Sequence, residues 1–145
     1  MLIDRAAIQR LIPHAGTMCL LDRVIAWDET SILCETTTHR EPTNPLRRQG
    51  RLAGLHALEY GAQAAAVHGG LLAATAGGQA LPCYLAALRA ARLYSDYLDG
   101  IAMSLQVSAR RLLGNAGDCI YRIEIRADAT VLAEARVTII TRPEV

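Results

Sequence analysis

The chain contains a long segment without a single charged side chain, and few folds can accommodate it. From Tyr60 to Leu88 there is no Asp, Glu, Lys or Arg, and Glu59 comes directly before this segment. By length alone it could span a bilayer. Two Gly-Gly pairs and Pro82, however, divide it into a helix, a loop and a strand. We therefore predict a buried core helix followed by a buried strand in a soluble protein, with no membrane insertion.

Glu59 is an isolated carboxylate on a helix that is apolar on nearly every side, so we expect it to be buried. Burying an ionised carboxylate costs several kcal/mol unless it is paired, and burial raises the pKa of a carboxyl. A group held in that way usually serves chemistry or one specific partner. Glu59 is therefore the first candidate for a functional residue. The alternative is a structural carboxylate paired with His56 or an arginine.

Length, charge and cysteine spacing exclude several classes of protein. The 145 residues fit a single domain over 1–145, and the net charge of +1 argues against nucleic acid or an anionic membrane as partner. The four cysteines are widely spaced, which favours reduced thiols in a cytoplasmic protein over a disulfide framework or a zinc site. No metal-ligand spacing, phosphate-binding loop or Ser-His-Asp order is present, so neither a metal nor a nucleotide is predicted.

Turn residues and hydrophobic periodicity predict the order of helices and strands. Asp4 is expected to cap a short helix over 5–11, and two strands are expected over 20–27 and 31–38. An alanine-rich helix over 52–74 comes next. Four strands follow it, over 84–94, 102–113, 119–127 and 130–141. A strongly curved antiparallel sheet can bury such a helix where a flat sheet cannot. The predicted fold class is α+β, with the hotdog architecture of a central helix wrapped by a curved antiparallel sheet.

The sequence Glu-Tyr-Gly-Ala-Gln from Glu59 to Gln63 contains the pattern Glu-x-x-Ala-Gln. This pattern resembles the helix motif of bacterial 3-hydroxyacyl-ACP dehydratases of the hotdog superfamily. The other similar segments are Ile12-Pro13-His14, Leu20 to Val24, Tyr84 to Arg92, Asp99-Gly100 and Ala133 to Ala135. Residues 44–47, 50–52 and 59–60 are most similar to the small dehydratase subunits of aryl polyene pigment clusters, which run a fatty-acid-like synthesis on an acyl carrier protein.

The resemblance implies elimination of water from a 3-hydroxyacyl thioester by a histidine and a carboxylate. In the family the histidine takes the proton next to the thioester carbonyl, and the carboxylic acid helps the hydroxyl leave. Backbone N–H groups at the start of the long helix polarise the carbonyl. Glu59 matches the family's carboxylate. The resemblance implies no cofactor beyond the carrier's phosphopantetheine, and it implies a homodimer or a heterodimer with a second hotdog subunit.

The family's histidine, which normally lies in a His-Phe-Pro-Gly segment, has no counterpart at the usual spacing before Glu59. That spacing leads to Asn44 and Pro45 instead. His39, at the end of the second predicted strand, is the best replacement, and we predict that it is the catalytic base. His56 lies three residues before Glu59 on the same helical face, so the two side chains can touch. We expect His56 to hold the charge of Glu59.

Further residues complete the predicted site. Gln63, one turn after Glu59, is expected either to orient the carboxyl or to bond backbone across an interface. The family's Pro-Gly pair at the helix start is missing, which leaves Gly54 as the nearby glycine in an orienting position. Arg47, Arg48 and Arg51 form a cluster beside the expected tunnel mouth. Because carrier proteins are acidic and their cofactor carries a phosphate, we predict that this cluster docks the carrier protein. A solvated surface is the alternative.

Two other functions stay open on the sequence. One is a hotdog acyl-thioesterase, in which the helix carboxylate would activate water. The other is a non-catalytic hotdog subunit that supports an active dehydratase partner, and the missing His-Phe-Pro-Gly segment favours it.

Overall fold

The computed structural model describes residues 3–12, 18–78, 83–114 and 118–141; His14 lies outside these ranges. The first half of the chain contains strand β1 (Ile3–Asp4), helix α1 (Arg5–Leu11) and strands β2 (Arg23–Trp27) and β3 (Ser31–Thr36). Helix α2 (Ala57–Thr75) follows. The second half contains strands β4 (Cys83–Leu93), β5 (Leu105–Gly114), β6 (Asp118–Ala127) and β7 (Thr130–Thr141).

All the strands of the described residues join one antiparallel sheet. Its order is β1-β2-β3-β5-β6-β7-β4. Strand β4, which follows α2 in the chain, therefore pairs with β7 and forms one edge of the sheet. Register shifts interrupt the pairing of β4 with β7, of β5 with β6 and of β6 with β7. Such irregularities bend strands and increase their twist, which suits a sheet that must curve around a helix. The predicted hotdog fold is confirmed.

One side of α2 packs into the sheet at very short range. The inward side chains of β6 are Tyr121, Ile123 and Ile125, which alternate with outward Arg122 and Glu124. A Cβ atom added at Gly61 would lie 2.4 Å from Cδ1 of Ile123, so a glycine is needed for this approach. The helix and the sheet therefore share one core.

Several element boundaries differ from the predictions. The helix predicted over 52–74 begins only at Ala57, after a 3₁₀ turn at Gly54–His56. The Gly54 N–H donates to Asp96 O at 2.7 Å, and a Cβ there would lie 1.8 Å from the Ser95 carbonyl oxygen. The backbone at Gly54 is thus held against the loop at Ser95 and Asp96, and the α-helix begins only after this contact. The predicted cap is confirmed, because the Asp4 carboxylate accepts from the Ala7 N–H at 2.9 Å.

Within the described residues, no helix has both the length and the apolar character needed to cross a membrane.

Candidate functional site

Glu59 lies on the side of α2 that the sheet leaves uncovered. Its side chain is 47% exposed, so the expectation of a buried carboxylate is wrong. Leu55, one turn earlier, is 56% exposed, and Ala62 and Ala66 continue the same side as partly buried residues. A single curved sheet covers only part of the circumference of a helix. The uncovered side is itself mostly apolar, which is why the apolar sequence suggested burial all round.

A cavity of about 500 Å³ lies between this open side of α2 and the edge strand β4. Its polar lining comes from Glu59 and Gln63. The other lining residues are apolar or aromatic: Ile12, Met18, Leu20, Leu55, Leu58, Ala62, Ala66, Tyr84, Leu85, Leu88 and Ile139. A mainly apolar cavity of this size with a few polar groups is typical of a small-molecule site, and it suits an acyl chain.

His56 and Glu59 touch, as their spacing on the helix predicted. Nδ1 of His56 lies 3.1 Å from Oε1 of Glu59. The His56 side chain is 23% exposed, less than the carboxylate that it contacts. The contact places the imidazole beside the carboxylate that lines the cavity.

Gln63 bonds backbone and does not orient Glu59. Its Oε1 accepts from the Leu20 N–H at 2.7 Å, and its Nε2 donates to the Met18 carbonyl at 2.8 Å. Both ends of the amide are thus engaged by the segment that forms one wall of the cavity. Gln63 thus bonds backbone of its own chain, whereas the expectation was backbone across an interface, and its two bonds connect α2 to that wall.

His39 is enclosed in the core and lies outside the lining of the Glu59 cavity. The second strand ends at Thr36, and His39 lies in a 3₁₀ turn at Thr38–Arg40 with its side chain fully buried. Its Nε2 donates to the Ile101 carbonyl at 2.9 Å. Burial lowers the pKa of His39, although the bond to Ile101 opposes that effect. His39 does not line the cavity of Glu59. Its role as catalytic base stays a prediction.

Asn44, where the family's histidine was expected, is buried in a polar network that sequence reasoning missed. Its Nδ2 donates to the Thr38 carbonyl at 2.9 Å and to the Tyr60 hydroxyl at 3.0 Å. The Tyr60 hydroxyl also lies 2.8 Å from Oγ1 of Thr38, and burial raises the pKa of Tyr60. The only sequence signal was the asparagine at the position of the missing histidine. This side chain ties the 38–46 segment to α2.

Two of the three predicted docking arginines are held by the chain itself. Nε and Nη1 of Arg47 donate to the carbonyls of Glu41 and Gly50, each at 2.8 Å. Arg51 pairs with Asp99 at 3.0 Å and stacks over the Tyr97 ring at 3.7 Å. These contacts fix the loop before α2.

Arg48, the third arginine of the predicted cluster, and Asp99, the partner of Arg51, have different surroundings. Arg48 is exposed, and within the described residues its side chain donates only to carbonyls close in sequence, those of Pro45 and Arg47. Asp99 accepts from the Leu52 N–H at 2.9 Å. That bond, followed by the one from Arg51, lowers the pKa of Asp99. Gly54, whose N–H is bonded to Asp96, does not offer that N–H to a substrate carbonyl in this arrangement.

His68 is a satisfied core residue. Its Nε2 donates to the Asp28 carbonyl at 2.8 Å, and its Nδ1 accepts from the Tyr121 hydroxyl at 2.7 Å. The side chain is fully buried, and burial lowers the pKa of His68. In the described part of the chain, no group of three or more His, Cys, Asp or Glu side chains is placed to hold a metal ion.

Known proteins share this fold and sequence pattern. Residues 6–145 match the ApeP-like family, described as ApeP dehydratase. A chain of the dehydratase heterocomplex ApeI:P from Xenorhabdus doucetiae superposes with a TM-score of 0.87 and 26% identity, over 94% of this chain and 91% of that chain. No curated protein sequence matches.

More distant structures show the fold alone. A mutant of thioesterase PA1618 from Pseudomonas aeruginosa has a TM-score of 0.63 and 13% identity, over 98% of this chain and 96% of that chain. The PaaI protein of E. coli has a TM-score of 0.57 and 17% identity, over 81% and 80%. The family match, in contrast, spans nearly the whole sequence, and the chain belongs to the ApeP-like family of dehydratases and dehydratase-like subunits.

Proposed function

We propose that the chain is one subunit of a heterodimeric hotdog dehydratase that removes water from 3-hydroxyacyl chains carried on an acyl carrier protein. The observation that carries this proposal is the Glu59 carboxylate, held by His56 at an apolar cavity of about 500 Å³. Membership of a dehydratase family supports the reaction class. The two-subunit assembly of the similar Xenorhabdus complex supports a second hotdog subunit.

The edge strand β4 is where we place the second subunit. It ends the sheet, and its side chains Tyr84, Leu85 and Leu88 are 58%, 54% and 43% exposed. An unpaired edge with exposed apolar side chains invites pairing with another strand. The same three residues line the cavity of Glu59. A partner on β4 would therefore close the cavity and shield the carboxyl from water.

The proposed chemistry divides the two proton transfers between the subunits. A base takes the proton from the carbon next to the thioester carbonyl, a carbon–carbon double bond forms, and the hydroxyl leaves with the proton of Glu59 as water. Among the described histidines, His39 is fully buried and does not line the cavity of Glu59. Both ring nitrogens of His68 are bonded in the core, and His56 contacts Glu59. We therefore place the base on the partner subunit and the acid, oriented by His56, on this chain.

Arg48 is the arginine that we propose for contact with the carrier protein. It is exposed, and in the described part of the chain its side-chain hydrogen bonds are to nearby carbonyls only. Arg48→Gln is expected to raise KM for the carrier-bound substrate a few fold without changing kcat, and to leave turnover of a short N-acetylcysteamine thioester unchanged. An equal KM for the carrier-bound substrate in wild type and variant would remove Arg48 from the docking surface.

The decisive experiment is dehydration by the reconstituted two-subunit complex. Glu59→Gln is expected to lower kcat by about 10²-fold or more, the usual contribution of a positioned acid. Glu29→Gln, at an exposed turn, is the matched control and should have no effect. Unchanged activity of Glu59→Gln would instead assign this chain a supporting, non-catalytic role. A folded His39→Gln variant that loses as much activity as Glu59→Gln would make His39 the base.

A thioesterase is the second candidate function, because a carboxylate that is 47% exposed is open to the water it would have to activate. The complex should be offered a 3-hydroxyacyl thioester while free thiol and enoyl product are followed together. Enoyl product with its thioester intact supports the dehydratase. Release of free thiol without enoyl product would establish the thioesterase.

A further inference from the structure

Four arginines stand in a row across the face of the sheet that points away from α2. Strand register places Arg89 of β4 opposite Arg136 of β7, Arg136 opposite Arg122 of β6, and Arg122 opposite Arg110 of β5. Directly paired residues project from the same face of a sheet, and all four side chains are exposed. We call these four residues the arginine row.

The arginine row opposes the stability of the sheet. Like charges placed directly opposite each other on neighbouring strands are destabilising. Arg122 has two weak acidic neighbours, Glu124 at 3.9 Å and Glu134 at 3.8 Å. The side chains of Arg89, Arg110 and Arg136 form no hydrogen bond or ion pair with any other residue in ranges 3–12, 18–78, 83–114 and 118–141. Uncharged polar side chains at these four positions would avoid this repulsion, so the stability of the sheet does not account for the charges.

The spacing of the row matches an acidic helix. Neighbouring strands lie about 4.8 Å apart, so the four arginines form a line of about 14 Å. Carboxylates placed alternately three and four residues apart on an α-helix follow each other at about 5.3 Å along its axis. One face of a helix with four such carboxylates can therefore meet the four guanidinium groups one to one.

The next row of the same face argues against a nucleic acid or an anionic membrane. It runs from Arg92 through Glu134 and Glu124 to Ser108. Its two carboxylates would repel a broad anionic surface, whereas a helix with its carboxylates in a single line can place them over the arginine row. We propose that the arginine row docks an acidic α-helix of a partner protein. The row is on the opposite face of the sheet from α2, so this partner does not compete with the cavity of Glu59.

The test uses the two-subunit complex and two fluorescein-labelled, alanine-based helical peptides of equal composition. One carries four glutamates in a line at the spacing given above, and the other has them distributed around the helix. Fluorescence anisotropy at low salt should show tighter binding of the aligned peptide. Arg110→Gln with Arg136→Gln should weaken that binding roughly fivefold, as expected from two exposed ion pairs. Arg10→Gln, on α1, is the matched control and should not change it.

A stability measurement tests the proposal even if the peptides bind too weakly to compare. Because Arg136 has an arginine on each side, Arg136→Gln should leave the melting temperature equal or raise it by about 1–3 °C. A lower melting temperature would show that the row serves the sheet, and would overturn the proposal. Equal affinity for the two peptides would overturn it, as would a tighter complex with a DNA duplex or with anionic vesicles that also depends on Arg110 and Arg136.

Discussion

Nδ1 of His56 lies 3.1 Å from Oε1 of Glu59, one turn along the helical stretch that opens α2, and the two side chains meet at the edge of an apolar cavity. The pair is local in sequence, but its position at a cavity depends on the open side of the helix. In the proposed complex, this pair would present an oriented carboxylate where the partner subunit closes the site.

His56→Gln should lower kcat of the dehydratase complex by about tenfold and leave KM nearly unchanged, because the imidazole orients the carboxylate without binding substrate. This loss is smaller than the loss expected for removal of the acid itself. Steady-state kinetics of the reconstituted complex measure both constants. A rise in KM at constant kcat would show that His56 binds the substrate instead.

Gln63→Leu should destabilise the fold by about 1–3 kcal/mol, because it removes two hydrogen bonds and leaves the Leu20 N–H and the Met18 carbonyl without that partner. Urea denaturation followed by circular dichroism measures the free energy of unfolding. Gln9→Leu is the control, since Gln9 is exposed on α1. Equal effects of the two substitutions would mean that the Gln63 bridges contribute nothing to stability.

Two glycine substitutions on α2 should have opposite signs. Gly61→Ala should destabilise by about 1–3 kcal/mol, because the new Cβ would lie 2.4 Å from Cδ1 of Ile123. At Gly69 nothing lies within 4 Å of an added Cβ, so Gly69→Ala should stabilise the helix by roughly 0.5–1 kcal/mol. Thermal and urea unfolding of both variants provide the comparison. Stabilisation by Gly61→Ala would mean that the helix and the sheet lie farther apart than described.

The free energy of unfolding should fall as the pH is lowered from about 6.5 towards 5. Burial lowers the pKa of His39 and of His68 from the ordinary 6.5, so below that pH the unfolded chain takes up protons more readily than the folded one. The stability that the two neutral rings contribute is complete above pH 6.5 and is lost as the pH falls towards their folded-state pKa values.

Urea unfolding of the wild type at pH 7.5 and 5.5 measures this dependence. The double variant His39→Gln, His68→Gln should show a smaller difference between the two pH values, whatever its absolute stability. Asp28 and Asp99 also have lowered pKa values, but their effect falls below pH 3.8, outside this window. A wild-type protein that becomes more stable between pH 7.5 and 5.5 would contradict the assignment.

Local patterns predicted the elements of this fold and part of its site. The Asp4 cap, the contact of His56 with Glu59 and the alternation of β6 all depend on residues a few positions apart. The element boundaries differed from the predicted ones where a segment distant in sequence contacts the chain. An example is Gly54, whose backbone lies against Ser95 and Asp96. Periodicity contains no information on such contacts.

The sequence by itself determined a set of alternating strands and a long helix without charged residues after Glu59, and a curved antiparallel sheet can bury most of such a helix. Tertiary structure alone decided that the sheet leaves one side of α2 open, which exposes Glu59, and that the ring of His39 faces the Ile101 carbonyl. It also decided that Arg136 lies between Arg89 and Arg122. The physical reason is that strand order and register bring together residues far apart in the chain, and no local pattern specifies which of them will meet.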